Sequence, residues 1–152
     1  MRVADVMSKN IKSVNKEATI LDVMKLMRND DVGFVIIIED NKPLGIITDR
    51  DILLILAKEL STSTNICKVM KKYIISIHQN DDIGTASDTM GIMQVRRLVV
   101  LDDFNNVVGV IGLSDIARNS FCEEYALSAL IEISYDYSTK KESPLQISAY
   151  IF

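Results

Sequence analysis

Apolar and polar positions along the first half of the chain change period at recognisable points. Ile20, Val23, Met24 and Met27 recur at helical spacing, behind Thr19 as an N-cap with Asp22 three residues on. They predict an amphipathic helix over TILDVMKLMRND. FVIIIED (34–40) is an apolar, largely β-branched run without alternation, which reads as a strand buried on both faces. DNKP is turn chemistry and LGIIT the next strand, so residues 34–48 are expected to form a hairpin. DRDILLILAKEL (49–60) returns to a helical period and predicts a second amphipathic helix.

The second half repeats this order: a helix at 83–93, strand RLVVLD, turn DFNN, strand VVGVIG and a helix from Leu113. The residues repeat as well. VADVM (3–7) matches ICKVM (66–70) at an offset of 63, and Thr19-Ile20, Met27 and Val32 fall on Asp82-Ile83, Met90 and Val95. After one extra residue near Phe104, Gly45 lands on Gly109 and Asp51 on Asp115 at an offset of 64. Each half, about 50 to 60 residues, is too small to stand comfortably alone. Two copies would bury their sheets and helices against each other about a pseudo-twofold axis. The expected division is repeat 1 over 1–60, repeat 2 over 61–121, and a tail over 122–152. That tail begins as a helix and ends without a clear period.

Composition narrows the class. A chain of 152 residues, 48% hydrophobic and 25% charged, is ordinary for a soluble globular domain. Its longer apolar runs, such as ILLILA (52–57), are far short of a membrane span. MRVADVMSKN has no basic stretch leading into an apolar segment, so no secretory signal is expected. Cys67 and Cys122 lack CxxC spacing and fit a reducing cytoplasm better than a disulfide framework. The net charge of −4 argues against non-specific nucleic-acid binding.

The repeated phrase carries the candidate chemistry: GIITDRDI (45–52) against GVIGLSDI (109–116). A strand ends and a helix begins there, with Thr48 at the helix N-terminus and Arg50 and Asp51 in its first turn. Free N–H groups and the helix dipole suit a phosphate, and Arg50 would pair one bidentately. An acid three residues on suits the two hydroxyls of a ribose, as in dinucleotide sites. Thr48-x-x-Asp51 is equally a capping-box pattern that needs no ligand and contributes about 1 kcal/mol. The two roles are compatible. In the second phrase Gly112 replaces the threonine while Asp115 stays, with Ser114 nearby. One lost hydrogen bond to a charged group costs about 1.5–3 kcal/mol, about tenfold to a hundredfold in affinity. Unequal sites are therefore expected, the Thr48/Asp51 cleft being the stronger.

G-h-h-[T/S]-x-x-D closing a duplicated strand–strand–helix unit resembles the cystathionine-β-synthase (CBS) domain pair, or Bateman module. DVGFVIIIEDNKPLGIITDRDI and VRRLVVLDDFNNVVGVIGLSDI are similar to that family's second half-repeat, and DVM and KVM to its leading segment. The likeness covers roughly residues 1–120 and implies an α/β (α+β) fold of two tandem CBS repeats, each β-α-β-β-α, with two clefts between them. Such clefts bind adenosine ligands of the AMP, ADP, ATP or S-adenosylmethionine type. By that resemblance Asp51 and Asp115 would hold ribose hydroxyls and Thr48 ligand oxygens. Arg96 and Arg97, matched by Gly33-Phe34 in the first repeat, would contact phosphate. The resemblance also implies a homodimer and an unidentified regulated target.

The remaining residues read more plainly. His78 has no nucleophile or orienting acid at a recognisable spacing, so a structural or solvent-facing role is expected, with no catalytic residue and no metal site. Cys67, Cys122 and the methionines fit core packing, Met7 and Met70 at equivalent positions. Glu123-Glu124 reads as an exposed helix face, STKKESP as a loop, and LQISAYIF as a segment apolar enough to pack on this chain or a partner. Three functions compete: a cytoplasmic adenine-nucleotide sensor with no required cofactor, a ligand-free dimerisation module, and an enzyme. The absence of a nucleophile–base pair or P-loop disfavours the last.

Overall fold

The computed structural model describes residues 1–135, which form two three-stranded sheets, each backed by helices. The first repeat runs α1 (Val3–Val6), β1 (Ser13–Asn15), α2 (Ile20–Asp30), β2 (Phe34–Glu39), β3 (Lys42–Thr48) and α3 (Asp49–Leu56). The second runs from a 3₁₀ turn (Ile66–Lys68) through β4 (Ser76–His78), α4 (Ile83–Met93), β5 (Arg97–Leu101), β6 (Val107–Gly112) and α5 (Leu113–Ala117). α6 (Glu123–Ser134) follows. Both sheets place the middle strand between a parallel and an antiparallel neighbour, and both carry a register shift at the same place, Ile37/Ile38 and Val100/Leu101.

The predicted hairpin over 34–48 forms through a two-residue turn, Asp40-Asn41, with both residues at positive φ (49° and 63°), a conformation Asp and Asn tolerate. The extra residue of the second repeat falls in its longer loop. There Asp102 gathers the amides of Phe104 and Asn106 and the Asn106 side chain. The expectation that FVIIIED is buried on both faces is met. Val35 and Ile37 enter the first core with Ile47, while Ile36, also at 0% exposure, points the other way. Its equivalent Val99 does the same opposite Leu98 and Val100. One face of each sheet thus lies against helices and the other against its sister sheet.

Equivalent positions meet across the junction, as a pseudo-twofold axis along the central strands requires. The Arg97 guanidinium lies 5.9 Å from the ring centre of its counterpart Phe34. At the far end the Val107 amide donates to the Asn41 carbonyl at 2.8 Å, and Lys42 reaches the Phe104 carbonyl. The leading segments are exchanged. Val3, Val6 and Met7 pack in the second core, whereas Ile66, Val69 and Met70 pack in the first. Paired backbone bonds fix them, Ser8 with Val110 (2.9 and 3.0 Å) and Lys71 with Ile46 (2.9 Å each). This explains the repeated glycine. A Cβ on Gly45 would stand 2.5 Å from Met70 Sδ and 2.8 Å from the Lys71 carbonyl; on Gly109 it would stand 2.6 Å from Met7 Sδ. Met7 and Met70 are equivalent, as the sequence predicts, and half-buried.

The spacing predicts a helix over 49–60, but α3 stops at Leu56 and Glu59 turns left-handed at φ 59°. The chain must turn back there, because the carbonyls of Thr64 and Thr62 satisfy the first two amides of α2, Ile20 and Leu21, at 3.0 and 2.9 Å. α6 packs on α4 and α5, burying Ala126 and Ala129, and bonds α4 through Ser87 Oγ to the Tyr125 carbonyl at 2.6 Å. Glu123 and Glu124 are exposed, Cys122 is buried and Cys67 half-buried, both as free thiols. STKKESP and LQISAYIF lie outside the described residues.

Candidate functional site

On the inter-sheet face, Thr48 lies across from Phe34 and Gly112 across from Arg97. Each then opens a helix whose third residue is an acid. Thr48, in extended conformation, caps α3: its Oγ accepts from the Asp51 amide at 3.2 Å and donates to Asp51 Oδ2 at 2.8 Å. The Thr48 amide donates to that oxygen at 3.0 Å, closing the capping box. The threonine proton is thereby committed, and the hydroxyl keeps one lone pair for a further donor. The other Asp51 oxygen receives the Lys71 ammonium at 2.8 Å. Burial pulls the Asp51 carboxyl upward, but Lys71 and the Thr48 hydroxyl and amide outweigh it and hold the group below the usual carboxylate value.

The second site keeps the acid and loses the cap. The Gly112 amide donates to Asp115 Oδ2 at 2.8 Å, and Arg118, one turn along α5, takes Oδ1 at 2.6 Å. Among the described residues no side chain caps α5. Asp115 lines a cavity of about 570 Å3 with Asp5, Val6, Arg118, Asn119 and Phe121, within the size range of small-molecule sites. Ser114 does not join it. It lines instead a separate, apolar cavity of about 320 Å3 between α5 and α6.

The predicted basic residues divide. Arg50, Arg96 and Arg97 are all exposed, and the Arg96 carbonyl accepts the Leu113 amide at 3.1 Å, tying the head of β5 to the head of α5. Arg97 passes between the two sites: its Cγ stands 3.4 Å from where a Gly112 Cβ would be, and its guanidinium lies over Phe34. Sequence reasoning missed Lys71 and Arg118. Lys71 was detectable as the residue after Met70, which the repeat seats on Gly45. Arg118 was detectable from its spacing three residues after Asp115 on a helix. His78 Nε2 is 3.0 Å from Asp103 while Nδ1 accepts the Asn80 amide, a structural arrangement at the end of β4.

No helix among the described residues is long and apolar enough to cross a membrane. A family model for the CBS domain matches the chain twice, over residues 3–58 and 66–121. The chain is 35% identical over 134 residues to the CBS domain-containing protein YhcV of Bacillus subtilis (strain 168), covering 88% of this chain and 95% of that one. It is 33% identical over 118 residues to protein MJ1404 of Methanocaldococcus jannaschii, covering 76% of this chain and 28% of that longer one. The CBS domain protein PAE2072 from Pyrobaculum aerophilum, solved in complex with AMP, has the same fold at TM-score 0.76 and 20% identity, over 84% of this chain and 99% of that one. The CBS domain pair of protein MJ0100, solved with 5′-methylthioadenosine and S-adenosyl-L-methionine, is similar at TM-score 0.70 and 25% identity, over 78% of this chain and 94% of that one. With the CBS domain model matching both halves of the chain and a relative 35% identical along nearly its whole length, the chain belongs to the CBS domain family.

Proposed function

We propose that this chain is a regulatory module that binds an adenosine-containing ligand, of the AMP, ADP or ATP class, and performs no catalysis. The observation that carries the reading is the pair of acids, Asp51 and Asp115, each set in the first turn of the helix leaving an inter-sheet strand. A carboxylate there faces a cis-diol with oxygens fixed by the backbone, the use made of an acid in dinucleotide sites. The cavity beside Asp115 and the adenosine ligands carried by two proteins of this fold support the same reading. Asp51 and Asp115 hold ribose hydroxyls, with Thr48 accepting from the ligand in one cleft, while Ser114, which lines a separate cavity, takes no part in the other. Arg50, Arg96 and Arg97 supply cations for phosphate. Repeats 1–60 and 61–121 form the ligand-binding pair, and 122–152 is an appended tail. The module acts in the cytoplasm as a homodimer, sensing nucleotide levels for a target protein, and its free thiols and the exposed Leu53 and Leu54 of α3 support that setting.

Calorimetric titration of AMP, ATP and S-adenosylmethionine into nucleotide-stripped protein tests this. Saturable binding that falls in Asp51→Asn or Asp115→Asn is expected, and binding indifferent to both substitutions would refute the assignment. One observation favours a ligand-free structural module instead: the Thr48–Asp51 capping box is already closed. On that reading Asp51→Asn lowers stability only, and none of the three ligands gives heat.

A further inference from the structure

We infer that Lys71 competes with the ligand for Asp51 and thereby sets the affinity of that cleft; the inference rests on the ribose-binding role just proposed. An ionised carboxylate offers about four lone-pair sites. On Asp51, the Thr48 amide and hydroxyl occupy Oδ2 at 3.0 and 2.8 Å, and the Lys71 ammonium occupies Oδ1 at 2.8 Å. Those three donors leave a single acceptor position, whereas a cis-diol brings two hydroxyl protons. The capping donors belong to the helix start and cannot leave without uncapping α3. Lys71 can.

Its backbone is pinned to Ile46 by two 2.9 Å bonds, so the leading segment stays docked. Its side chain is 59% exposed against 14% for Asp51, so the ammonium has water to swing into while the carboxylate stays in place. The second cleft lacks this arrangement. The equivalent of Lys71 there is Ser8, paired with Val110 as Lys71 is with Ile46. Among the described residues Asp115 accepts from Gly112 and Arg118 alone, which leaves room for both ribose protons. The two acids are alike in sequence but differ in how much acceptor capacity remains.

The test uses adenosine, which has the ribose but no phosphate for a lysine to attract. In an Asp115→Asn background, which leaves Asp51 as the one ribose acid, calorimetry compares Lys71 with Lys71→Met. Methionine keeps the stem and removes the charge. An exposed ion pair of this kind corresponds to about a two- to fivefold gain in affinity when the competitor is removed. Added salt should strengthen binding in the lysine form, by screening the pair, and leave the methionine form unchanged. Equal or weaker adenosine binding by Lys71→Met overturns the inference, weaker binding meaning that Lys71 contacts the ligand. If neither adenosine nor AMP binds the wild-type chain, the ribose reading itself fails and takes this inference with it.

Discussion

Gly112 is the position where the two repeats differ by one hydroxyl, and replacing it with serine asks what that hydroxyl does. The backbone is ready for a side chain. Gly112 has φ −121° and ψ 164°, an extended conformation open to any residue and close to that of Thr48 (−113°, 162°). An added Cβ would lie 3.4 Å from the Arg96 carbonyl, Arg97 Cγ and Asp115 Oδ2, ordinary contact distances. A serine Oγ would therefore reach the Asp115 amide as Thr48 Oγ reaches that of Asp51 at 3.2 Å. Ser and Ala differ at an N-cap by about 1 kcal/mol, whereas Ser and Gly differ by only a few tenths. For a chain of this size 1 kcal/mol moves the midpoint by about 2–4 °C.

Thermal melts followed by circular dichroism should thus rank Gly112→Ser slightly above wild type and about 2–4 °C above Gly112→Ala. Alanine controls for the Cβ alone. The same proteins titrated with AMP separate the cap from the ligand. Because Thr48 donates its proton to Asp51 and keeps only one lone pair for a ligand donor, a serine that copies it should raise affinity by less than about tenfold. Coincident melts for Gly112→Ser and Gly112→Ala would refute the capping account. A tenfold or greater gain in AMP affinity would show that the hydroxyl serves the ligand first.

Two further outcomes follow from the same geometry. Gly45→Ala places a Cβ 2.5 Å from Met70 Sδ and 2.8 Å from a backbone carbonyl, so it should destabilise by about 1–3 kcal/mol, read as a lower urea midpoint at unchanged slope; an unshifted midpoint would mean that the docked segment gives way freely. Asp51 titrates lower folded than unfolded, so the stability it contributes is complete above the unfolded value of about 3.9 and is lost as pH falls through the lower folded value. Urea midpoints from about pH 6 down to about pH 3 should fall more steeply for wild type than for Asp51→Asn, and parallel curves would sink that assignment.

The elements legible in the sequence were those whose burial imposes a period. Ile20, Val23 and Met27 announced α2, and the unbroken FVIIIED announced a strand covered on both sides. β4 falls in the strand-like run IISIH that ends at His78, whereas β1, also three residues long, carries no such signal, because it exists by pairing in parallel with β2 rather than by a pattern of its own. The end of α3 was misplaced for a related reason. ILAKEL continues a helical period, but the carbonyls of Thr62 and Thr64 are needed at the start of α2, and tertiary demand overrode local preference. At the site, Thr48, Asp51 and Asp115 fell where the repeated phrase put them. Lys71 escaped notice because its partner lies in the other repeat, and Ser114, next to Asp115 in the chain, turns to a different cavity.

Where the repeats agree and where they differ follows a physical division. Gly45 and Gly109, Met70 and Met7, Ile36 and Val99 are matched, and each sits where backbone or apolar surface closes against the sister repeat. Packing at a pseudo-twofold junction constrains both partners at once, since a side chain that overfills one half displaces the other. Polar groups at the mouths of the clefts face no such rule, as they meet solvent or ligand. There the pairs diverge in chemistry: Thr48 against Gly112, Phe34 against Arg97, Lys71 against Ser8. Each of these substitutions changes what one cleft offers without moving the frame that holds both. Arg97 shows the consequence most directly: borne by the second repeat, its guanidinium rests on Phe34 of the first, opposite Thr48. The duplicated fold thereby sets two matched acids, Asp51 and Asp115, in unlike surroundings, and on the function proposed above the two clefts would offer a ligand different partners.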